Sequence, residues 1–395
     1  MILEKSKKIM DYCMGTYPQF LPVFGVFNFQ PARNFGLMPL TADLTAKVQD
    51  SLVSVNDEME AVFLRPPSTH GPVPFYWWAG EKLDRERIAW QLDRLCEKGV
   101  RQTIISYPHL PDGGSDLGDP ALFSEDWWDL FRWFLSACRE RGMTAGFQDY
   151  TLIGPILESI GGDTPGMQGG QMSCVGQHVA GHVQVSLSAE PGSCMIGAWV
   201  YRVKDGLADV DTGMPLAEFM RDGVLEWFTP AGEWFVALVF NRPNAFDPLH
   251  PDAGVLAIDR LYAPFERECP EDFGETFNLF FQDELDFGSR MPFWSSHLIG
   301  AFLLSKGYDL RPLLPALWYD MGPVTEKIRL DFADVVTQRM EECYFKPVFH
   351  WHEERGILFG HDNCGRGRIG EGRSHYGDYF RTMMRLVCKK LLVKW

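Results

Sequence analysis

The chain has few of the features that mark metal scaffolds, membrane proteins or nucleic-acid binders. Its nine cysteines, at positions 13, 96, 138, 174, 194, 269, 343, 364 and 388, contain no CxxC pair and are odd in number. A zinc finger or a disulfide framework therefore has little support. Cys96 and Cys138 fall in helical patterns, where cysteine behaves as a small hydrophobe, and the set reads as reduced thiols of a cytoplasmic protein. The N-terminus, MILEKSKKIMDYC, lacks the apolar stretch of a secretory signal. The longest apolar run, near Leu298–Leu304, is far short of a membrane span. Positive charge is also scarce, with 37 Lys and Arg against 53 Asp and Glu for a net charge of −16. That balance argues against nucleic acid or an anionic membrane as the main partner. What is present is 395 residues, 46% of them apolar, with 13 Trp and 29 Phe, enough for a large globular core. So many rings are compatible with packing on sugar faces, although aromatics serve cores more often.

Residues 1–70 are rich in Phe and Pro and carry no clear period. From Pro74 a rhythm sets in. Phe75–Trp78 reads as a strand, and Asp84 caps a helix with Ile88, Leu92 and Leu95 on one face, ended by Gly99. Val100–Tyr107 is a second strand. Ser124 caps a second helix, with Phe123 placed to staple onto Trp128, and Gly142 ends it. Met143–Asp149 is a third strand. Strands and helices alternating at this spacing predict βαβ units and a parallel sheet over 71–151. Residues 152–240 break the rhythm with glycines and alternating runs such as His182–Leu187, which predicts an inserted, mostly antiparallel β element. From 241 to 395 the βα rhythm returns. Helices are expected near Pro251–Glu268, over 292–307 and over 324–355, the last stopped by Gly356. Strands are expected at Thr276–Glu284 and Ile357–Asp362, with a final helix at Tyr379–Lys394. The fold class is α/β, a TIM-like (β/α) barrel incomplete at its C-terminus.

The strand at Thr276–Glu284 ends in two acids, Asp283 and Glu284, and carboxylates at the C-terminal end of a parallel barrel strand lie where such folds do their chemistry. Side chains alternate along a strand, so Asn278, Phe280, Gln282 and Glu284 would share one face. That face is the more polar, which makes Glu284 the candidate for the barrel mouth. The plain reading is a loop acid pair. His361, Asp362 and Asn363 end the fifth strand, and Tyr107 and His109 the second, all directed at the same mouth as candidate substrate-binding residues, or as structural ones. Trp78 is a candidate platform for a sugar ring or a core residue, and Asp149 a candidate for orienting hydroxyls or a cation. Glu371, in the loop GRGRIGEGR, has no place in this scheme, and that loop lacks the order of a phosphate loop. His350, His352, Glu353 and His361 lie close in sequence, but His350 and His352 are two apart and diverge on a helix, so zinc is disfavoured.

Six segments in order, PFYWWAGEKLD, FSEDWWDLFRWFLSACRERGM, FNLFFQDEL, SKGYDLRPLLPALWYDMGP, FKPVFHWHEERGILFGHDN and YGDYFRTM, together resemble the catalytic barrel of glycoside hydrolase family 106, the α-L-rhamnosidases. The resemblance spans about residues 66–385. It implies a TIM-like barrel interrupted by β insertions, inverting cleavage of α-L-rhamnosides or related glycosides, a carbohydrate substrate, and calcium near the active site. With general acid/base chemistry on two carboxyl groups, it makes Glu284 the general acid, with Asp283 or Asp149 holding sugar hydroxyls or the cation. Two departures stand out. Gln148-Asp149-Tyr150 replaces the family's Tyr-Asp-Glu strand end, and the tail RLVCKKLLVKW does not resemble the continuation that supplies a second catalytic glutamate. The alternative is a non-catalytic fragment or pseudoenzyme that keeps part of a carbohydrate site.

Overall fold

The structure, a computed structural model, describes residues 59–66, 71–108, 110, 116–149, 153–244, 246–285, 287 and 291–363, with the backbone alone at 153, 154, 284 and 361–363. The chain divides after Arg65 into two units, Met1–Arg65 and Pro66–Trp395. In the second unit, β1 (Phe75–Trp77) leads to α1 (Arg85–Glu97), whose N-cap Asp84 accepts from the Arg87 amide at 2.9 Å. Ile88 and Leu92 bury its apolar face, and Gly99 ends it at φ +81°. After β2 (Gln102–Ser106) comes α2 (Glu125–Glu140). Ser124 caps α2 through the Trp127 amide, and Phe123 stacks on Trp128 at 5.4 Å, the expected staple. β3 (Thr144–Gln148) follows, then α3 (Ile153–Asp163).

The antiparallel element then runs through β4 (Gly169–Ala180), β5 (Gln184–Ser188), β6 (Cys194–Lys204), β7 (Leu207–Ala208), β8 (Met214–Pro215), β9 (Met220–Arg221), β10 (Val224–Phe228) and β11 (Glu233–Asn244). Helices α4 (Ala253–Ala257) and α5 (Ala263–Glu268) flank a π-helical turn at Ile258–Tyr262. β12 (Phe277–Leu285), β13 (Phe293–Trp294) and α6 (Leu298–Lys306) come next. A second π-helical turn, Glu341–Phe345, joins α7 (Val324–Met340) to α8 (Lys346–Glu354), and β14 (Leu358–Asn363) is the last described element.

The five strands read as barrel strands form one sheet in the order β1-β2-β3-β12-β14, every pair parallel. The sheet is curled. β1 and β12 stand three strands apart, which is roughly 14 Å across a flat sheet, yet the Phe75 and Phe281 rings lie 6.2 Å apart. Gln102 on β2 likewise reaches Asn278 on β12, donating to its Oδ1 at 2.8 Å. Gly146, on the strand between, leaves room for Leu279 of β12. Among the described residues the sheet is thus a curled half-barrel, and the expectation of an α/β fold built on a parallel sheet is met at that level.

The concave face carries Phe75, Trp77 and Leu358, all substantially exposed, and half-buried Phe281. The convex face, with Trp78, Ile105, Tyr107, Phe147 and Phe280, is buried under helices, where Trp127, Phe131, Phe134 and Phe265 interlock with it.

β4, β6, β7, β8, β11 and β13 make a second, antiparallel sheet, and β5, β9 and β10 a third. On β11, Trp234, Val236, Leu238 and Phe240 pack toward the three-stranded sheet, whereas Phe235, Ala237 and Val239 join the main core. Burial on both faces explains why this strand is apolar throughout. Two expectations need correction. A helix, α3, occupies the start of the region read as β insertion, and Phe293–Trp294, read as helix, is a strand paired with β4.

Candidate active site

The C-terminal ends of β3 and β12 meet side by side, with Phe281 in register opposite Gln148. β12 is bulged here. Gln282 pairs with His361 and Leu285 with Asn363, so Asp283 and Glu284 together oppose one residue of β14. A bulge breaks the alternation of side chains and re-aims them, as often happens beside active sites.

That corrects the expected face. Phe280 and Gln282 are fully buried against the helices, on the convex side. Asp283, from the other set, is half-buried and accepts from Gln148 Nε2 at 2.7 Å. The period-two argument that placed Glu284 with Gln282 ends at the bulge. The Glu284 backbone lies on β12, and its side chain lies outside the described residues.

On the convex side lies a buried polar cluster that the sequence reading did not assemble. Asp149 is 1% exposed. Its Oδ2 accepts from the Tyr262 hydroxyl at 2.9 Å and from Gln282 Nε2 at 3.4 Å. Gln282 Nε2 also donates to the hydroxyls of Tyr262 (2.8 Å) and Tyr344 (2.9 Å). Burial pushes the Asp149 carboxyl up to about 7, against smaller opposing effects of Tyr262, Gln282 and nearby backbone amides. Burial, followed by the charge of Asp149, holds both tyrosines well above their ordinary value, so they stay protonated. Tyr262 and Tyr344 each come from one of the two π-helical turns, a distortion frequent at functional sites. The only hint in the sequence is Gln282, a polar residue within an apolar strand. The tyrosines were hidden because a π turn shifts a side chain off the 3.6-residue period.

Burial and the convex face also correct three candidates for direct substrate contact. Trp78 is fully buried, packed edge-on against Trp127, Phe131 and Phe134. Tyr107 is 1% exposed, and its hydroxyl accepts from Trp127 Nε1 at 2.7 Å. Both rings are core residues, and Asp149 lies behind the sheet with them. His361, Asp362 and Asn363 end β14 as expected, with side chains outside the described residues, as His109 and Glu371 are entirely. A cleft of about 210 Å3 opens at the end of β1, lined by Trp77, Lys82, Asp84, Arg87 and Gln91 among others. Among the described residues no group of three or more His, Cys, Asp or Glu could hold a metal. No helix among the described residues is long and apolar enough to cross a membrane.

No protein-family model matches the sequence. Over 367 residues the chain is 21% identical to a protein of Formosa agariphila provisionally named a beta-glucuronidase, an alignment covering 78% of this chain and 31% of that one. A solved rhamnosidase from Novosphingobium sp. PP1Y superposes with a TM-score of 0.54 at 12% identity, over 78% of this chain and 47% of that one. The chain spans less than half the length of either protein, and the likeness to the rhamnosidase is one of fold.

Proposed function

We propose that the chain carries a glycoside-hydrolase site, and that its substrates are α-L-rhamnosides or related glycosides cleaved with inversion. The observation that carries this reading is the placement of two consecutive acids, Asp283 and Glu284, at the carboxyl end of β12, beside the carboxyl end of β3 in a curled parallel sheet. In barrels this rim is the catalytic one, and glycoside hydrolysis needs carboxyl groups there. The fold shared with a rhamnosidase and the distant relative provisionally named a beta-glucuronidase support the same class. In this reading Glu284 is the general acid that protonates the leaving oxygen. Asp283, steadied by Gln148, orients sugar hydroxyls from the concave face, and His361, Asp362 and Asn363 extend the rim. A non-catalytic chain with a partial carbohydrate site is the second reading, favoured by the substantial exposure of Phe75, Trp77 and Leu358 on the concave face.

The test is turnover of aryl α-L-rhamnoside and aryl β-glucuronide by the full chain and by Glu284→Gln, with the product anomer followed by NMR. Loss of about 100-fold or more in kcat is expected for removal of a general acid. An unchanged rate in the variant removes Glu284 from the reaction, and no turnover by either protein leaves the binding reading.

A further inference from the structure

We infer that Gln148 and Asp149, consecutive residues at one strand end, clamp Gln282 and Asp283 from opposite faces of the sheet, and so position the bulged Asp283–Glu284 pair. The inference deepens the proposed glycosidase reading and rests on it for its consequence in catalysis. On the concave face Gln148 Nε2 donates to Asp283 Oδ2 at 2.7 Å. On the convex face Asp149 Oδ2 receives Gln282 Nε2 and the Tyr262 hydroxyl. Between the two faces the Asp149 amide donates to the Phe281 carbonyl at 3.2 Å. The Asp283 amide lies close enough to the Asp149 carboxyl to favour its charged form. Three consecutive residues of β12, from Phe281 to Asp283, are thus fixed by two residues of β3 where the ladder to β14 slips and Glu284 follows. Without such a clamp a bulge has fewer ladder bonds to hold it.

Asp149 is a positioning residue in this scheme, since it is buried behind the sheet. Among the described side chains the titratable groups around it are Tyr262 and Tyr344 from the two π turns, with Asp283 beside it on β12. His352 of α8 stands behind the Tyr262 ring, 4.7 Å between centroids. As a carboxylate, Asp149 accepts strongly from Tyr262 at 2.9 Å and draws on Gln282 at the longer 3.4 Å. Protonated, it accepts more weakly, and the hold on the bulge loosens. Burial places that change near neutrality, at about 7.

The experiment compares the full chain with Asp149→Asn, Tyr344→Phe and Gln148→Leu by two readouts. The first is hydrogen-exchange protection across residues 281–285 from pH 5.5 to 8.5, corrected for intrinsic exchange. The second is the pH dependence of kcat and KM on an aryl glycoside. Wild type should gain protection with a midpoint near pH 7, and Asp149→Asn should lose that dependence. In turnover, Asp149→Asn should lose the matching limb of the kcat profile and lower kcat about tenfold to a hundredfold, the scale expected of misplaced groups, with KM within about twofold. Tyr344→Phe should keep the limb, and Gln148→Leu should reduce protection without changing its midpoint. An Asp149→Asn protein with wild-type protection and a wild-type pH profile overturns the clamp. If no protein turns over a glycoside while the exchange results hold, the clamp stands and the glycosidase reading falls. Should Asp149→Asn not fold, an unaltered exchange pattern in Gln148→Leu overturns the clamp instead.

Discussion

Tyr262 stands between two buried titratable residues that burial drives in opposite directions. Its hydroxyl donates to Asp149, and its ring packs edge-on against His352. His352 is fully buried, its Nδ1 donates to the Val348 carbonyl at 2.7 Å, and its Nε2 has no partner among the described residues. Burial lowers it from 6.5 to about 3, so the ring is neutral in the fold. Its contribution to stability is present above pH 6.5 and is lost as pH falls from 6.5 toward 3. Asp149 behaves oppositely, because its carboxyl is raised from 3.8 to about 7. The stability it lends is complete below pH 3.8 and disappears as pH climbs to 7. At about 1.4 kcal/mol per pH unit each effect is worth at most about 4–5 kcal/mol, and between pH 3.8 and 6.5 the two slopes offset one another. Asp149→Asn removes one slope and leaves the other. Relative to wild type, the variant should therefore gain stability between pH 4.5 and 7.5, by up to about 3 kcal/mol. Urea midpoints at the two pH values measure it, and an equal offset at both would show that Asp149 does not titrate in this window.

At the scale of elements, the close pairing of β3 and β12 depends on Gly146. A Cβ there would sit 2.9 Å from the Leu279 carbonyl oxygen and 3.0 Å from its Cβ. Gly146→Ala must push the two strands apart, at about 1–3 kcal/mol. Gly162 in α3 meets nothing within 4 Å, so Gly162→Ala should stabilise by about 0.5–1 kcal/mol through helix propensity and a less flexible unfolded chain. Opposite signs in paired unfolding curves are the expected result; a neutral Gly146→Ala would mean that the strands approach less closely. The same elements show what the sequence could reveal. Capped helices with clean periods, α1 and α2, were legible down to Asp84, Ser124 and the Phe123–Trp128 contact, because those signals are local. All five parallel strands were legible as apolar runs bounded by turns. α3 was not, since Pro155, Gly161 and Gly162 lower its helical signal. The facing of the acids was not legible either. It depends on a bulge fixed by β14, some 80 residues further along, and on two π turns whose tyrosines leave the helical period. Hence the strand end carrying the candidate site could be found from sequence, and the Gln148–Asp149–Gln282 cluster behind it could not.

Within the second unit, the antiparallel and parallel parts share a wall. β11 presents alternate side chains to two cores, Leu238 to the one beneath the three-stranded sheet and Phe235 to the one containing the helices. Polar contacts tie the same sheet to the segment before α7: Tyr319 accepts from the Gly176 amide at 2.8 Å, and the Tyr201 hydroxyl donates to the Pro312 carbonyl at 2.6 Å. Phe235 packs against Tyr319 with 5.0 Å between centroids. A strand buried on both faces cannot leave one core without exposing the other, so loosening either should propagate to its neighbour. Residues 66–395 are also one compact unit by contact. Large chains often unfold in steps, but a shared central strand predicts coupling here. Leu238→Ala and Phe134→Ala lie in different cores, on β11 and α2, and each removes a buried side chain worth about 2–5 kcal/mol. Both should lower the same calorimetric transition, seen alike by near-UV and far-UV signals, with neither splitting it. If Leu238→Ala produces a separate early transition while the Phe134 core melts at its original temperature, the antiparallel sheets form an independent folding unit and β11 does not couple the two cores.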